Sequence, residues 1–245
     1  AAAGAAMASG APGAADFSAV WTVKSDSPFT SHTDSVEDLQ WSPNEETVFA
    51  SASVDRSVRI WDTRAKGRSM LAVEAHGADV NVISWSKLVT YLLVSGSDDG
   101  SFKIWDLRAL EASKPVAHFT FHKKPITAVE WAYDDENVLA VASEDNQGTL
   151  WDMSLEMGDE AEMAMLAKKG GGAGGAAAAA AAAGGGGAPS SRDPRLADIP
   201  PQLLFVHAGQ TDVKEVHFHR QLPGVLFSTA ADGFNVFKPD VVVTT

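Results

Sequence analysis

An all-β architecture of repeated four-stranded antiparallel units is predicted by three observations. A dipeptide returns at near-constant spacing, a set of polar residues returns with it, and short runs of alternating hydrophobicity lie between polar turns. The dipeptides are Trp61-Asp62, Trp105-Asp106 and Trp151-Asp152, 44 and 46 residues apart. Each Trp has a histidine 29 residues before it (His32, His76, His122) and an aspartate six residues before it (Asp55, Asp99, Asp145). Four residues beyond each histidine an alternating strand begins: VEDLQWSP from Val36, VNVISWS from Val80 and ITAVEWA from Ile126.

The first unit reads as four strands, Val36–Ser42, Val48–Ser53, Val58–Asp62 and Met70–Val73, separated by turns such as SPNEE and SVDRS. Four short antiparallel strands at this period make one blade of a β-propeller. Stacked helical repeats are the rival, and the β-branched alternation leaves no room for their helices. The second and third units repeat the pattern. A fourth, weaker copy places His207 before VKEVHFH, then LFSTAADG with Asp232, and Phe237 near the expected Trp. His207 lies 85 residues after His122, about two periods, so the excess is an insertion. Residues 156–196 hold it: MGDEAEMAMLAKK and then a Gly/Ala tract without periodicity, expected to be a flexible loop. The organisation expected is a low-complexity Ala/Gly segment over 1–19 and propeller blades over 20–245, interrupted at 156–196. Four blades do not close a ring. Val20–Val23 reads as the outer strand of a preceding blade, and the chain begins on Ala. A parent of about seven blades is therefore expected, of which this chain is the C-terminal half; whether Val241–Val243 adds a last outer strand is left open.

The recurring polar residues resemble the hydrogen-bonded tetrad of the WD-repeat family, in which a loop His bridges a turn Asp and a strand Ser, and the Ser reaches the indole of the blade Trp. The resemblance implies a WD40 β-propeller with a first tetrad of His32, Asp55, Ser51 and Trp61, and a second of His76, Asp99, Ser95 and Trp105. The third copy keeps His122, Asp145 and Trp151 but has Val141 at the Ser position, so an incomplete network is expected there. The fourth keeps His207, Asp232 and Ser228 without the Trp. Because these residues repeat with the blades, they read as scaffold: mutual pairing spares each buried polar group roughly 1–3 kcal/mol, and a catalytic triad would occur once.

Composition narrows the function. The formal net charge is −13, which disfavours nucleic-acid backbone binding and suits a basic protein partner such as a histone or ribosomal protein. There is no cysteine, which excludes disulfides, thiolate metal sites and a catalytic thiol and suits a reducing compartment. No run of mixed apolar residues is long enough to span a bilayer, and the opening AAAGAAMASGAPGAA lacks the features of a signal peptide. There is no phosphate loop, H-E-x-x-H or G-x-S-x-G. His217 and His219 alternate on one strand without a third ligand nearby, so packing or surface histidines are expected. A non-enzymatic chain without cofactors follows.

Finer wording sharpens the resemblance. HTDSVEDLQWSPNEETVFASASVDRSVRIWDTR, HGADVNVISWS, SGSDDGSFKIWDLR and ITAVEWAYDDENVLAVASEDNQGTLWDMSLE are similar to the glutamate-rich WD-repeat proteins of ribosome assembly, as are LADIPPQLLFVHAGQTDVKEVHFH and PGVLFSTAADGFNVF. The match covers residues 31–154 and 195–238. It implies a nucleolar assembly factor that escorts a newly made large-subunit ribosomal protein, with a kinship to histone-binding WD proteins. The acidic segment that names the family is absent. A Gly/Ala tract replaces its short acidic connection, whose character survives in Glu156, Asp159, Glu160 and Glu162.

Partner contacts are expected on the rim of the central channel: Glu37, Asn81, Thr127 and Lys214 at the starts of the inner strands, joined by Val54, Asp98, Glu144 and Ala231 before the turn aspartates. Further acids stand nearby at Asp34, Asp38 and Asp79. The rim is expected to meet a Lys/Arg-rich extension of the client. The alternative is docking onto the adaptor of a cullin-RING ubiquitin ligase through Arg64 and Arg108, which follow Trp-Asp as WDTR and WDLR and offer planar, multiply donating groups.

Overall fold

Apolar residues alternate with small or polar ones along each predicted strand, and in the structure these strands assemble into four separate sheets. The computed structural model describes residues 29–65, 67–155 and 199–240. The segments 1–19, Val20–Val23 and 156–196 and the candidate strand Val241–Val243 lie outside the described residues.

The first blade comprises β1 (Val36–Trp41), β2 (Val48–Ser53), β3 (Ser57–Asp62) and β4 (Leu71–Glu74), paired in chain order as an antiparallel meander. The second repeats it with β5 (Val80–Trp85), β6 (Leu92–Ser97), β7 (Phe102–Asp106) and β8 (Ala117–Phe119), a 3₁₀ turn at Leu107–Ala112 lying before β8. The third is β9 (Ile126–Trp131), β10 (Val138–Ser143), β11 (Gln147–Asp152) and β12 (Leu203–Ala208). The fourth has three described strands, β13 (Val213–Phe218), β14 (Leu226–Ala230) and β15 (Gly233–Phe237). The insertion therefore falls inside the third blade, between β11 and β12, rather than between blades. LLFVHA, with its alternating pattern, is that blade's outer strand.

The blades stack face to face, and the core sits in the seams. Between the first two blades pack Ala50, Val58, Ile60, Ile83, Trp85 and Leu93. Val94, Phe102 and Ile104 of the second meet Ile126, Trp131, Leu139 and Trp151 of the third. Ala140, Ala142 and Leu150 of the third meet Val216, Phe218 and Leu226 of the fourth. The inner-strand pairs Ile83 and Trp85, Val129 and Trp131, and Val216 and Phe218 are all buried in this way. Their counterparts in the first blade, Leu39 and Trp41, are each 61% exposed.

The four inner strands lie side by side, β1 next to β5, β5 next to β9 and β9 next to β13, yet they share no backbone ladder. Side chains join them instead. Gln40 makes a two-point bridge to β5: its Nε2 donates to the Ile83 carbonyl (2.8 Å) and its Oε1 accepts from the Trp85 amide (3.0 Å). At the matching positions Ser84 Oγ accepts from the Trp131 amide (3.3 Å) and Glu130 Oε2 from the Phe218 amide (2.7 Å). Each blade thus satisfies an amide of the next blade's inner strand that would otherwise be buried without a partner.

Candidate partner-binding rim

Each inner strand opens on a β-bulge. The pairing of β1 with β2 skips Glu37, that of β5 with β6 skips Asn81, that of β9 with β10 skips Thr127, and that of β13 with β14 skips Lys214. A bulge leaves its extra residue outside the ladder and re-aims the side chain. The four sequence-selected strand-start residues are therefore one structural class, at the matching ends of four neighbouring inner strands, and those ends form one mouth. Opposite them, Val54, Asp98, Glu144 and Ala231 are held by their amides, which donate to the carbonyls of Ser35, Asp79, Pro125 and Thr211.

The residues differ in how free they are. Glu37, Asp98, Glu144 and Lys214 are exposed, and Lys214 pairs with Asp212 at 2.6 Å. Asn81 is half-buried and donates to Asp98 Oδ1 (2.6 Å) and to the Ile126 carbonyl (3.3 Å), and Thr127 donates to the Val213 carbonyl (3.1 Å). Both are seam residues, with their polar groups turned to the neighbouring blade. Asp38, expected among the acids near the rim, also turns inward: its Oδ2 accepts from the Ile83 amide at 2.9 Å. Burial pushes its carboxyl up against the opposing pull of the Ile83 and Leu39 amides.

Beneath the mouth the inner strands enclose an open cleft of about 560 Å³, lined by Glu37, Asp38, Glu130, Glu215, Lys87 and Arg220 among others. His217 stands in it, 3.4 Å from Glu130 and 3.6 Å from Glu215. His219 lies past the strand end and accepts the amides of Gln221 and Leu222, both at 3.0 Å. Among the described residues no cluster of three or more His, Cys, Asp or Glu could hold a metal ion.

The tetrads hold the loops that present the rim. In the first blade the Trp61 indole donates to Ser51 (2.7 Å), Ser51 lies 2.6 Å from His32 Nε2, and His32 Nδ1 lies 2.8 Å from Asp55. Burial pushes the Asp55 carboxyl up, but hydrogen bonds from Ser57, His32 and the amides of Thr33 and Ser57 hold it well below the usual carboxylate range. An ionised Asp accepts only and an indole donates only, so both ends of the chain are fixed: Trp61 donates to Ser51 and His32 Nδ1 donates to Asp55. In the second blade Trp105 donates to Ser95 (2.9 Å), which meets His76 Nε2 (2.8 Å). Ser101 stands 3.1 Å from His76 Nδ1 and Asp99 3.5 Å. Against burial, His76 and Ser101 hold the Asp99 carboxyl well below its usual range.

Two sequence expectations are corrected. The third network is complete: Thr149 supplies the hydroxyl, 2.9 Å from His122 Nε2 and accepting from the Trp151 indole at 2.8 Å, while Asp145 lies 3.0 Å from His122 Nδ1. Val141 and Thr149 are direct cross-strand partners, so the hydroxyl has moved across the strand pair without leaving the network. Burial holds the His122 imidazole below its usual range against the raising influence of Asp145. In the fourth blade His207 is not the bridging residue. It belongs to β12, where it stacks on Phe237 (4.2 Å between centroids) and meets Gln210 at 3.2 Å. Ser228 donates to Gln210 Oε1, and Asp232 accepts from the Thr211 amide (3.1 Å). Gln210 occupies the bridging place because the connection from β12 to β13 carries His207 out of reach. Replacing Thr149 with Val, which leaves the Trp151 indole N–H and His122 Nε2 without their partner, is expected to cost roughly 1–3 kcal/mol, with Thr149→Ser recovering most of it in urea denaturation; an unchanged midpoint for Thr149→Val would contradict the role.

At the opposite end of the blades Arg64 and Arg108 clamp Asp62 and Asp106, each with a closest contact of 2.6 Å. The Arg64 guanidinium holds the Asp62 carboxyl down to about 2. Arg108 also lies 3.6 Å over the Tyr91 ring, and both side chains remain well exposed, at 73% and 64%.

Comparison with known proteins agrees with this geometry. Residues 22–62, 67–106 and 113–152 match the WD domain, G-beta repeat. The chain is 50% identical over 218 residues to ribosome assembly protein rrb1 of Schizosaccharomyces pombe, covering 86% of this chain and 40% of that protein. It is 51% identical over 213 residues to the protein HEAT STRESS TOLERANT DWD 1 of Arabidopsis thaliana, covering 86% and 41%. Against glutamate-rich WD repeat-containing protein 1 of Dictyostelium discoideum the identity is 49% over 210 residues, covering 86% and 38%. The chain spans about two-fifths of the length of these relatives. With its repeats, its four-stranded blades and its tetrads, the chain belongs to the WD-repeat family and is a homologue of the ribosome assembly and glutamate-rich WD-repeat proteins.

Proposed function

We propose that the chain is a non-enzymatic protein-binding scaffold in ribosome biogenesis, acting in the nucleus and nucleolus, whose rim holds a Lys/Arg-rich extension of a ribosomal protein or, in a related role, a histone. The observation that carries the reading is the charge of the mouth. Glu37, Asp98 and Glu144 stand exposed around it, and none forms an ion pair among the described residues. Unpaired carboxylates at a concave mouth attract a basic segment and steer its approach. Similarity to a protein named for ribosome assembly supports the setting. Reversing Glu37, Asp98 and Glu144 to Lys together is expected to weaken binding of a Lys/Arg-rich peptide by at least about tenfold at low salt and to flatten its salt dependence. Unchanged affinity in a folded triple variant would remove the rim from the interface.

A second reading, docking on a cullin-RING ligase adaptor, is favoured by the matched, exposed geometry of Arg64 and Arg108 on successive blades. It predicts that Arg64→Ala with Arg108→Ala abolishes adaptor pull-down; retention of the adaptor by the double variant refutes it.

A further inference from the structure

The cleft has a second end, and its chemistry is opposite. Just past the inner strands, Lys87, Tyr133 and Arg220 occupy matching positions on three successive blades, each two residues after the strand-terminal aromatics Trp85, Trp131 and Phe218. They converge on one ring: Lys87 Nζ lies 4.2 Å and Arg220 Cζ 5.3 Å from the Tyr133 centroid. Both cations are exposed. Among the described residues neither forms an ion pair, in a chain whose formal net charge is −13. The carboxylate of Glu130 in the same cleft is already engaged by the Tyr133 hydroxyl (2.6 Å) and the Phe218 amide (2.7 Å).

Two like charges against a shared ring repel each other, and cation–π attraction at exposed sites offsets only part of that. Desolvation, with the neighbouring Arg220 charge second, pulls the Lys87 ammonium below its usual range. An anion placed between the two relieves the repulsion and gains charge-assisted hydrogen bonds from both. From this geometry we infer that Lys87, Tyr133 and Arg220 form a binding site for a carboxylate-bearing, acidic peptide segment of a partner protein, at the end of the cleft remote from the acidic rim. A peptide fits better than RNA. Closely spaced phosphates need several cations in a row, whereas Lys87 and Arg220 are the two Lys or Arg side chains that line this cleft.

The test is fluorescence anisotropy of a labelled, glutamate-rich peptide on the full chain at low salt. Lys87→Glu with Arg220→Glu is expected to weaken binding by about tenfold or more. Lys114→Glu, at an exposed position in the connection before β8 and outside the cleft, is expected to change it by less than about twofold. Circular dichroism establishes that both variants remain folded, as substitutions at exposed positions should. Three results would overturn the assignment: no saturable binding to the wild-type chain, an equal loss in Lys114→Glu, or tighter binding of a single-stranded RNA that depends on Lys87 and Arg220.

Discussion

Trp151→Ala is expected to lower stability by about 3–5 kcal/mol, the largest effect of any single substitution considered. The side chain is fully buried and stands where two blades meet. Phe102 of the second blade contacts it edge-on at 4.9 Å, and Phe119 and Phe121 lie at 4.8 and 5.8 Å. Removing it opens a cavity in the seam and also takes away the donor that Thr149 accepts. Trp151→Phe keeps part of the volume, so its loss should be smaller. The check is urea denaturation with the slope compared across variants, since an unchanged slope identifies a change in stability alone. A loss under about 1 kcal/mol would mean that the seam is not packed around this ring.

The second large effect is expected at Gly100. Its φ is +74°, and a Cβ there would lie 2.9 Å from the His122 carbonyl oxygen and 3.2 Å from that of Lys124, both fixed backbone. The left-handed conformation alone does not demand glycine: Arg56 (φ 67°) and Asn146 (φ 69°) hold it at the same turn position of the first and third blades. What distinguishes Gly100 is the neighbouring loop, which carries the His122 that Asp145 and Thr149 hold. Gly100→Ala therefore combines about 1–2 kcal/mol of backbone cost with about 1–3 kcal/mol of overpacking. Arg56→Gly should stay within about 1 kcal/mol of wild type, because it relieves the same conformation and loses only an exposed ion pair with Glu74. Equal melting curves for Gly100→Ala and wild type would show that the loop can yield.

Most of the architecture was legible in the chain because it repeats. The Trp-Asp spacing marks the third strand of each blade, and the alternation after each His marks the inner strand. The first unit's predicted strands lie within a residue or so of β1–β4, the ends blurring where Ser42 and Met70 are turn residues. Two networks were legible only in part, for a physical reason. A hydrogen-bond network requires a hydroxyl at a point in space, and Ser95 on one strand or Thr149 on its neighbour can both supply it. A complementary exchange between cross-strand partners was the signal, visible in Val141 facing a Thr where Ser95 faces Lys103. Gln210 gave less warning, since the shift depends on loop length beyond β12. The rim fared similarly. Strand starts could be located, but that Asn81 and Thr127 turn to the next blade depends on which groups that blade presents. The cation pair on Tyr133 was hidden because its three residues are far apart in the chain and match in position only once the blades are superimposed.

The side-chain bridges between inner strands have a mechanical consequence. Within a blade, every strand is held along its length by a ladder of backbone hydrogen bonds, which resists shear. Between blades the polar connection narrows to a few contacts, such as the Gln40 amide on Ile83 and Trp85 or the Glu130 carboxylate on Phe218, laid over an apolar seam. A load pulling the chain ends apart would meet its weakest resistance at those seams, so the molecule should extend in steps of one whole blade rather than strand by strand. The stiffness of each joint then depends on one or two side chains, and the joints can be tuned singly while the blades they connect stay unchanged.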